Sequence, residues 1–289
     1  MAWVNAIIQG VLIGGLYALF ACGLSLMFGV MKVVNLAHGD LAVLAGYFAI
    51  GIVAVTHVPV LWSFVIVVPL MAVLGYIMQR TILQGALDRS VLTTLMVTFG
   101  LSVVIENGLL QFETANTRGI GVGLPLLTES FSVGSIQIAY LLVVFFATAV
   151  IVLLGLQYFL SRSKYGRLIR AVADDKEAAQ LAGADYRHVF GIAAAIAFGT
   201  VALAGIAYGM YSQLSPTTGT DTILLFAFAA VVIGGLGSLW GTLLGGVVLG
   251  VAQGIGAQIH SSAVLAGFIV FLAVLALRPQ GLISRGAPS

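Results

Sequence analysis

Charged side chains are scarce in this sequence. It has 12 basic and 10 acidic residues among 289, or 8%, against about 25% in a typical soluble domain. A soluble protein needs charges to cover its surface, so this scarcity excludes a soluble enzyme, a nucleic-acid-binding protein and a disordered chain. Hydrophobic residues make up 61% of the sequence, which predicts a chain whose solvent is lipid.

Several chemical motifs are missing as well. Cys22 is the single cysteine, so no disulfide can form within the chain. The sequence has no GxxxxGK[ST] motif, and ATP-driven movement would therefore need another polypeptide as its motor. It also lacks the paired carboxylates, His-Glu-x-x-His motif or serine-centred constellation of an intramembrane hydrolase. No second ligand stands at helical spacing from His38, so we expect no metal site.

Long uncharged runs define the predicted topology, because about 20 apolar residues span a bilayer as a helix. We predict nine apolar segments, near residues 5–30, 40–56, 60–80, 90–111, 136–161, 188–213, 222–235, 240–258 and 262–278. The seventh is too short to span unaided. The predicted fold is an all-α polytopic membrane protein with about eight or nine transmembrane segments, including a short or re-entrant half-helix near 222–235.

The distribution of charge sets the predicted orientation. Ten of the charged residues lie in the stretch 158–188. Four of them are basic residues near its start: Arg162, Lys164, Arg167 and Arg170. The positive-inside rule places this loop in the cytoplasm, and counting crossings backward places the N-terminus outside. Counting forward puts Arg278 inside, unless the segment 222–235 folds back and leaves the C-terminus outside.

The charged loop also has helical signals. We predict a basic helix near Lys164–Val172 and a second short helix near Lys176–Ala182, capped by Asp174 and ended by Gly183. A solvated linker without a partner is the alternative.

A polar motif, Asn35-Leu36-Ala37-His38-Gly39-Asp40, separates the first two apolar segments. These residues would be costly in lipid, so they should face the protein interior or water. One interpretation is a helix break whose ends bind substrate. The other is a tight turn on the inner side in which Asn35 or Asp40 caps a helix.

Two further segments carry pathway candidates. The glycine-rich stretch Val231–Gly250 predicts a discontinuous helix or, alternatively, close packing of small residues. In the fourth segment, hydroxyl side chains recur on roughly one face: Thr93, Thr94, Thr98 and Ser102. They would pack helices or contact a substrate. Glu106 follows them, either as a functional intramembrane carboxylate or at the outer water interface.

Four stretches together resemble one family, in unbroken order from about Ile8 to Leu282. They are GVLIGGLYALFACGLSLMFGVMKVVNLAHGDLAVLAGY, YGRLIRAVADDKEAAQLAG, FAFAAVVIGGLGSLWGTLLGGVVLG and LRPQGL. The family is the shorter, H-type permease of branched-chain amino-acid ABC importers. The resemblance implies one transmembrane permease domain over 1–289 with a cytoplasmic coupling loop at 162–188, in a bacterial or archaeal inner membrane.

The resemblance also implies partners. A second, homologous permease would complete a heterodimer, or a second copy a homodimer; two cytoplasmic ATPase subunits would bind the ATP, and an extracytoplasmic solute-binding protein would deliver substrate. The chain itself would be a transport subunit with no ATPase site and no cofactor. Urea and short-chain amide permeases share these motifs, so the substrate class stays open.

The resemblance assigns the coupling role to Glu177, Ala178, Ala179 and Gly183 and the family's Asn-x-Ala-His-Gly motif to Asn35, Ala37, His38 and Gly39; the other residues named below come from the sequence patterns above. Glu177-Ala178-Ala179-x-x-x-Gly183 is similar to the EAA loop that docks the ATPase, although the Ile-x-Leu-Pro that follows in other importers is absent. The predicted ATPase-coupling residues are Glu177, Ala178, Ala179, Gly183, Arg167 and Arg170. The predicted substrate-pathway residues are Asn35, His38, Gly39, Thr94, Thr98, Gly235, Gly237 and Ser238.

The low charge within the membrane also bears on the cargo. A substrate with net charge would lose its hydration without compensation, so a zwitterion with an apolar side chain is favoured. The rival class is an ion-coupled secondary transporter or channel, for which Glu106 would be the mid-membrane carboxylate.

Overall fold

The computed structural model describes residues 2–57, 59–113, 116–120, 129–133, 136–259 and 262–283. Its helices are α1 (Ala2–Met31), α2 (His38–Thr56), α3 (Val60–Met78), α4 (Gln84–Leu87), α5 (Val91–Glu113), α6 (Tyr140–Arg162), α7 (Lys164–Asp174), α8 (Lys176–Leu181), α9 (Tyr186–Tyr211), α10 (Leu224–Gly234), α11 (Leu239–Gln258) and α12 (Ala263–Leu277). A π-helical turn, Gln79–Leu83, joins α3 to α4, and another, Gly219–Ile223, leads into α10.

The protein is a multi-pass membrane protein. Within the described residues, seven helices are long and apolar enough to cross a bilayer, and two shorter apolar helices, Gly219–Gly234 and Ala263–Leu277, accompany them. The predicted fold class is confirmed, and each predicted segment overlaps one of these apolar helices. One boundary was wrong: Ile136–Ala139 is a strand, β2, paired antiparallel with β1 (Ser130–Val133). Its alternating Ile-Gln-Ile pattern is typical of a strand.

Glycines let the central helices pack closely. α1 and α9 are the most buried of the spanning helices, and α1 lies antiparallel to α11, with Gly10 against Gly250 and Gly14 against Val247. A Cβ built on Gly14 would lie 2.8 Å from the Val247 backbone nitrogen. Small residues at such crossings allow backbone contact between membrane helices. α5 leaves most of its apolar surface uncovered.

The first helix break lies inside the bundle. After α1 ends at Met31, Lys32 adopts a left-handed conformation with φ 58°, and the chain turns back along α1. The His38 Nε2 atom then lies 2.9 Å from the Phe20 carbonyl oxygen. Phe20 precedes Met31 by three turns of helix, about 16 Å at 1.5 Å per residue. α2 therefore begins near the middle of the bundle.

A second break meets the first. α9 ends at Tyr211, and residues 212–218 lead back into the bundle, where Gly219 contacts Gly39 at the start of α2. From there the π turn and α10 run to the end of the bundle that carries residues 162–188, which we call the loop end. Gly237 lies there beside Gly29, in the last turn of α1.

The position of α10 shows whether the segment 222–235 folds back or crosses the bundle. Tyr211 lines a cavity with Ala6 and Gln9 near the start of α1, so it lies at the opposite end from Gly237. The half-helix is short, as predicted, but together with residues 212–218 the chain crosses the bundle. After α12, the Leu282 backbone N–H donates to the Ile233 carbonyl at 2.8 Å, which places residues 278–283 at the loop end.

Candidate functional site

A polar centre lies where the two breaks meet. Asp40 is 0% exposed. Its carboxylate accepts hydrogen bonds from the Ser102 hydroxyl of α5 and from Thr220 Oγ1 at 3.1 Å. Asp40 lies in the first turn of α2, where the helix dipole stabilises a negative charge. Three separate parts of the chain thus hold one buried carboxylate.

The motif residues build this break. Asn35 Oδ1 accepts a hydrogen bond from the Ala37 backbone N–H at 3.0 Å, which is an Asx turn. Asn35 and His38 are buried, so both face the protein interior; whether the break binds substrate or serves only as a capped turn stays a prediction. Gly39 lies so close to Gly219 that a Cβ there would approach its carbonyl carbon to 2.7 Å. In the described part of the chain, no group of three His, Cys, Asp or Glu side chains is placed to hold a metal ion.

A narrow cavity lies between this centre and the loop end. It is lined by Asn35, Thr94 and Thr98, together with Gln79 of the π turn and apolar side chains that include Met27 and Met31. Three of the predicted pathway residues therefore share one cavity, whereas Gly39 and His38, at the start of α2, are not among its lining residues. The hydroxyl face of α5 points towards α2, since Thr94, Thr98 and Ser102 are buried.

The glycine-rich turn between α10 and α11 lies outside this cavity. Gly235 and Gly237 have φ of 110° and 80°, a backbone conformation that favours glycine, and Ser238 Oγ accepts from the Gly241 backbone N–H at 3.1 Å as the cap of α11. The predicted discontinuity is confirmed. However, Gly237 packs on Gly29, on another side of α1 from Met27 and Met31, so the structure does not bring these three predicted pathway residues to the polar cavity.

Two short helices form the predicted coupling loop. Ser163 caps α7, and the cap of α8 is Asp175, whose Oδ1 accepts from the Glu177 and Ala178 backbone N–H groups at 2.9 Å. The prediction of Asp174 as the cap was wrong, because Asp174 is the last residue of α7.

The second short helix presents a mixed surface. Glu177 and Ala178 are exposed and Ala179 is buried, while Leu181 is 91% exposed. Gly183 ends the helix with φ 90°. On α7, the predicted residues Arg167 and Arg170 are exposed. Exposed apolar and basic groups outside a membrane bundle are typical of a protein-binding surface.

Asp88 connects this loop to the membrane helices. Lying between α4 and α5, it accepts hydrogen bonds from Gln84 at 3.0 Å and from the Tyr186 hydroxyl at 3.1 Å. Lys176 of α8 and Arg187 of α9 pair with it at 3.6 and 3.1 Å. Burial raises the pKa of the Asp88 carboxyl, but the hydrogen bonds and the two cations outweigh it and hold the pKa below its usual value.

Sequence reasoning missed three of these residues: Gln79, Asp88 and Thr220. A signal existed for the last one. Thr220-Asp221 interrupts a long apolar stretch, and Gly209…Gly219-Thr220 repeats the spacing of Gly29…Gly39-Asp40. Gln79 and Asp88 have no comparable pattern, because their importance depends on helices distant in sequence.

Glu106 lies one helical turn beyond Ser102 on α5 and is partly buried. Glu113, at the end of the same helix, pairs with Arg118 at 2.6 Å. Glu106 therefore lies between the polar centre and the opposite end of the bundle, and its role stays a prediction.

Comparison with known proteins places these features in a family. The profile of the branched-chain amino acid transport system / permease component family matches residues 6–277. The chain belongs to this permease family.

Several relatives of this permease align over nearly its whole length. It is 28% identical to the high-affinity branched-chain amino acid transport system permease protein BraD of Pseudomonas aeruginosa, covering 98% of this chain and 96% of the relative. It is 27% identical to the permease protein LivH of Escherichia coli K12, covering 96% and 94%. A probable branched-chain amino acid permease of Methanocaldococcus jannaschii is 27% identical over 94% and 87%.

Proposed function

We propose that this chain is the membrane-spanning permease subunit of an ATP-binding-cassette importer that carries branched-chain or other apolar amino acids into the cell. The observation that carries the proposal is the alignment with branched-chain amino acid transport permeases over more than nine-tenths of the chain. The polar centre and the exposed α7–α8 loop supply the two sites that such a subunit needs.

The loop end would face the cytoplasm of a bacterial or archaeal cell, with the N-terminus outside. Basic residues support this orientation, since Arg162, Lys164, Arg167 and Arg170 all lie at the loop end. Two ATPase subunits would dock there, one on each permease of a dimer with a homologous second permease. A soluble binding protein would deliver substrate at the opposite end.

The coupling site would be the α8 surface. Glu177 and Leu181 are available to a partner, while Ala179 anchors the helix to the bundle through a buried contact. Lys176, next in sequence to Glu177, reaches Asp88 at the start of α5. A displacement of α8 by an ATPase would therefore be passed to the helix that carries Thr94, Thr98 and Ser102.

The pathway would use helix ends in place of fixed charges. The N-termini of α2 and of the π turn before α10 meet at Asp40, so their backbone N–H groups give partial positive charge, while Asp40 offers oxygen atoms that attract an ammonium group. A zwitterionic amino acid suits such a pair. Alternating access would follow when α2 and the π turn before α10 separate at Gly39 and Gly219.

Uptake in cells tests the class of transporter. The chain should be expressed with its partner subunits in a bacterial strain that lacks branched-chain amino acid uptake, and labelled leucine should be supplied. We expect uptake that survives an ionophore and stops on ATP depletion. Uptake that stops with the ionophore while ATP remains high would favour an ion-coupled secondary transporter, and competition by urea but not by valine would refute the proposed cargo.

A further inference from the structure

Gln79 is a buried amide without a partner. It is 0% exposed, and neither its Oε1 nor its Nε2 has a hydrogen-bond partner among the residues that the structure describes. A buried polar group left unsatisfied costs about 1–3 kcal/mol, and such groups in a native fold call for an explanation. The side chain lines the cavity between the polar centre and the loop end.

The backbone at Gln79 is also unusual. Gln79 begins the π-helical turn Gln79–Leu83, and its backbone N–H reaches the carbonyls of both Gly75 and Tyr76. Single π turns within longer helices are rare and are found frequently at functional sites. Gln79, the first residue of this turn, is also a lining residue of the cavity.

The other polar groups of the cavity complement the amide. The Thr94 and Thr98 hydroxyls donate to their own helix, to the Ser90 and Leu95 carbonyls at 3.1 and 3.0 Å, so their oxygen lone pairs remain as acceptors. The Asn35 amide group makes only a weak contact, 4.0 Å to the Met27 sulfur. Its N–H groups are therefore available as donors.

This set of groups suits a zwitterion. Asn35 and Gln79 offer N–H donors to a carboxylate, while Gln79 Oε1 and the threonine hydroxyls offer acceptors to an ammonium group. Among the described residues, no charged side chain lines the cavity, so a ligand without net charge is favoured. Met27, Met31 and Leu83 supply apolar walls, and methionine adapts its shape readily.

The cavity is too small for an amino acid in this structure. Its volume is about 10 Å³, which holds about one water molecule, so an amino acid would enter only after the surrounding helices separate. The break at residues 32–37 and the π turn border the cavity, and both lack regular α-helical hydrogen bonding. They are the elements of the lining that can move without disrupting a complete helix.

We propose that Gln79, with Asn35, Thr94 and Thr98, forms an inner binding station that takes the ammonium and carboxylate groups of an amino-acid substrate between the polar centre and the cytoplasm. The station rests on the proposed function, since it needs a substrate that moves towards the loop end. Gln79 would be its specificity-determining residue, because both ends of its amide are free.

The test compares two buried glutamines in the assembled complex. Gln79→Leu keeps the approximate size of the side chain and removes both polar ends. Gln253→Leu is the matched control, since Gln253 is also buried with an unpartnered Nε2 but lies on α11, bonded to Tyr17 at 2.5 Å. Both variants are reconstituted in proteoliposomes, and leucine uptake and ATP hydrolysis are measured.

We expect Gln79→Leu to reduce leucine uptake at least tenfold, while ATP hydrolysis stimulated by the loaded binding protein stays within twofold of the wild type. Gln253→Leu should keep uptake within twofold. Normal uptake by Gln79→Leu would overturn the station and leave the proposed function intact. Absence of leucine uptake by the wild-type complex would refute the proposed function instead.

A second measurement covers the case in which Gln79→Leu does not assemble. Gln79→Cys is made in a chain whose single cysteine, the buried Cys22, is replaced by alanine. A small thiol reagent should modify the new cysteine in one nucleotide state and not in the other, because the station opens and closes. A cysteine that stays unreactive with and without ATP would overturn the proposal.

Discussion

The contact between Gly39 and Gly219 holds the start of α2 against the π turn before α10, and Gly39→Ala should separate them. A Cβ at Gly39 would lie 2.7 Å from the Gly219 carbonyl carbon and closer still to its oxygen, whereas ordinary contact begins at 3.4 Å. The backbones must therefore move apart by about 0.7 Å or more. Because the obstacle is backbone, no side-chain rotation relieves the clash.

The expected change in the free energy of unfolding on Gly39→Ala follows from two opposing effects. Overpacking a well-packed interior costs about 1–3 kcal/mol, while replacing glycine by alanine in a helix gains about 0.5–1 kcal/mol. Gly51, in the same helix, has open space where a Cβ would stand: apart from its own helix backbone and chain neighbours, no atom of the described residues lies within 4 Å. Gly51→Ala should therefore show the gain in stability alone. The two variants should differ by about 1–3 kcal/mol, or roughly 2–12 °C in melting temperature at 2–4 °C per kcal/mol.

The assay is thermal denaturation of the purified complex, followed by leucine uptake in proteoliposomes. Gly39→Ala should melt below the wild type and lose most of its uptake, because the shift also moves Asp40 from Thr220 and Ser102. Gly51→Ala should melt at or slightly above the wild type and transport normally. If Gly39→Ala melts and transports like Gly51→Ala, the close contact between the breaks is wrong.

Three further predictions concern the coupling surface and the polar centre. Glu177→Lys should abolish ATP-dependent uptake while membrane insertion, measured by membrane fractionation, stays normal; normal uptake would refute the coupling role. Asp88→Asn should lower the melting temperature equally at pH 8 and pH 5, since a lowered pKa keeps the carboxylate charged until pH falls below its usual range, and an effect confined to pH 8 would contradict that. Ser102→Ala should reduce uptake more than Ser25→Ala, because Ser102 donates to Asp40 while the buried Ser25 hydroxyl has no partner in the described structure; equal uptake would argue against a role for the centre.

Sequence patterns predicted the helices well because lipid imposes a simple rule on composition. Each of the nine apolar segments corresponds to an apolar helix in the described part of the chain, and the polar motif at Asn35 marked a break within the bundle. The hairpin was missed because its strands, Ser130–Val133 and Ile136–Ala139, are too short for a strong pattern.

The site was predicted less completely. Asn35, Thr94 and Thr98 were found because isolated polar residues in apolar segments are conspicuous. Thr220 reaches Asp40 from 180 positions away in the sequence, and Gln79 gains its role from a π turn that no periodicity reveals. Such contacts between distant segments depend on tertiary packing. The glycines at 235 and 237 have positive φ angles in a tight turn outside the polar cavity, and a pathway role for them stays a prediction.

The most direct test of the account is leucine accumulation by the purified complex in proteoliposomes, with ATP supplied on the side of the ATPase subunits and the binding protein on the other. The account predicts accumulation towards the ATP side, against a leucine gradient, that requires ATP hydrolysis and is absent from the Glu177→Lys complex. Accumulation driven by an ion gradient without ATP would contradict it.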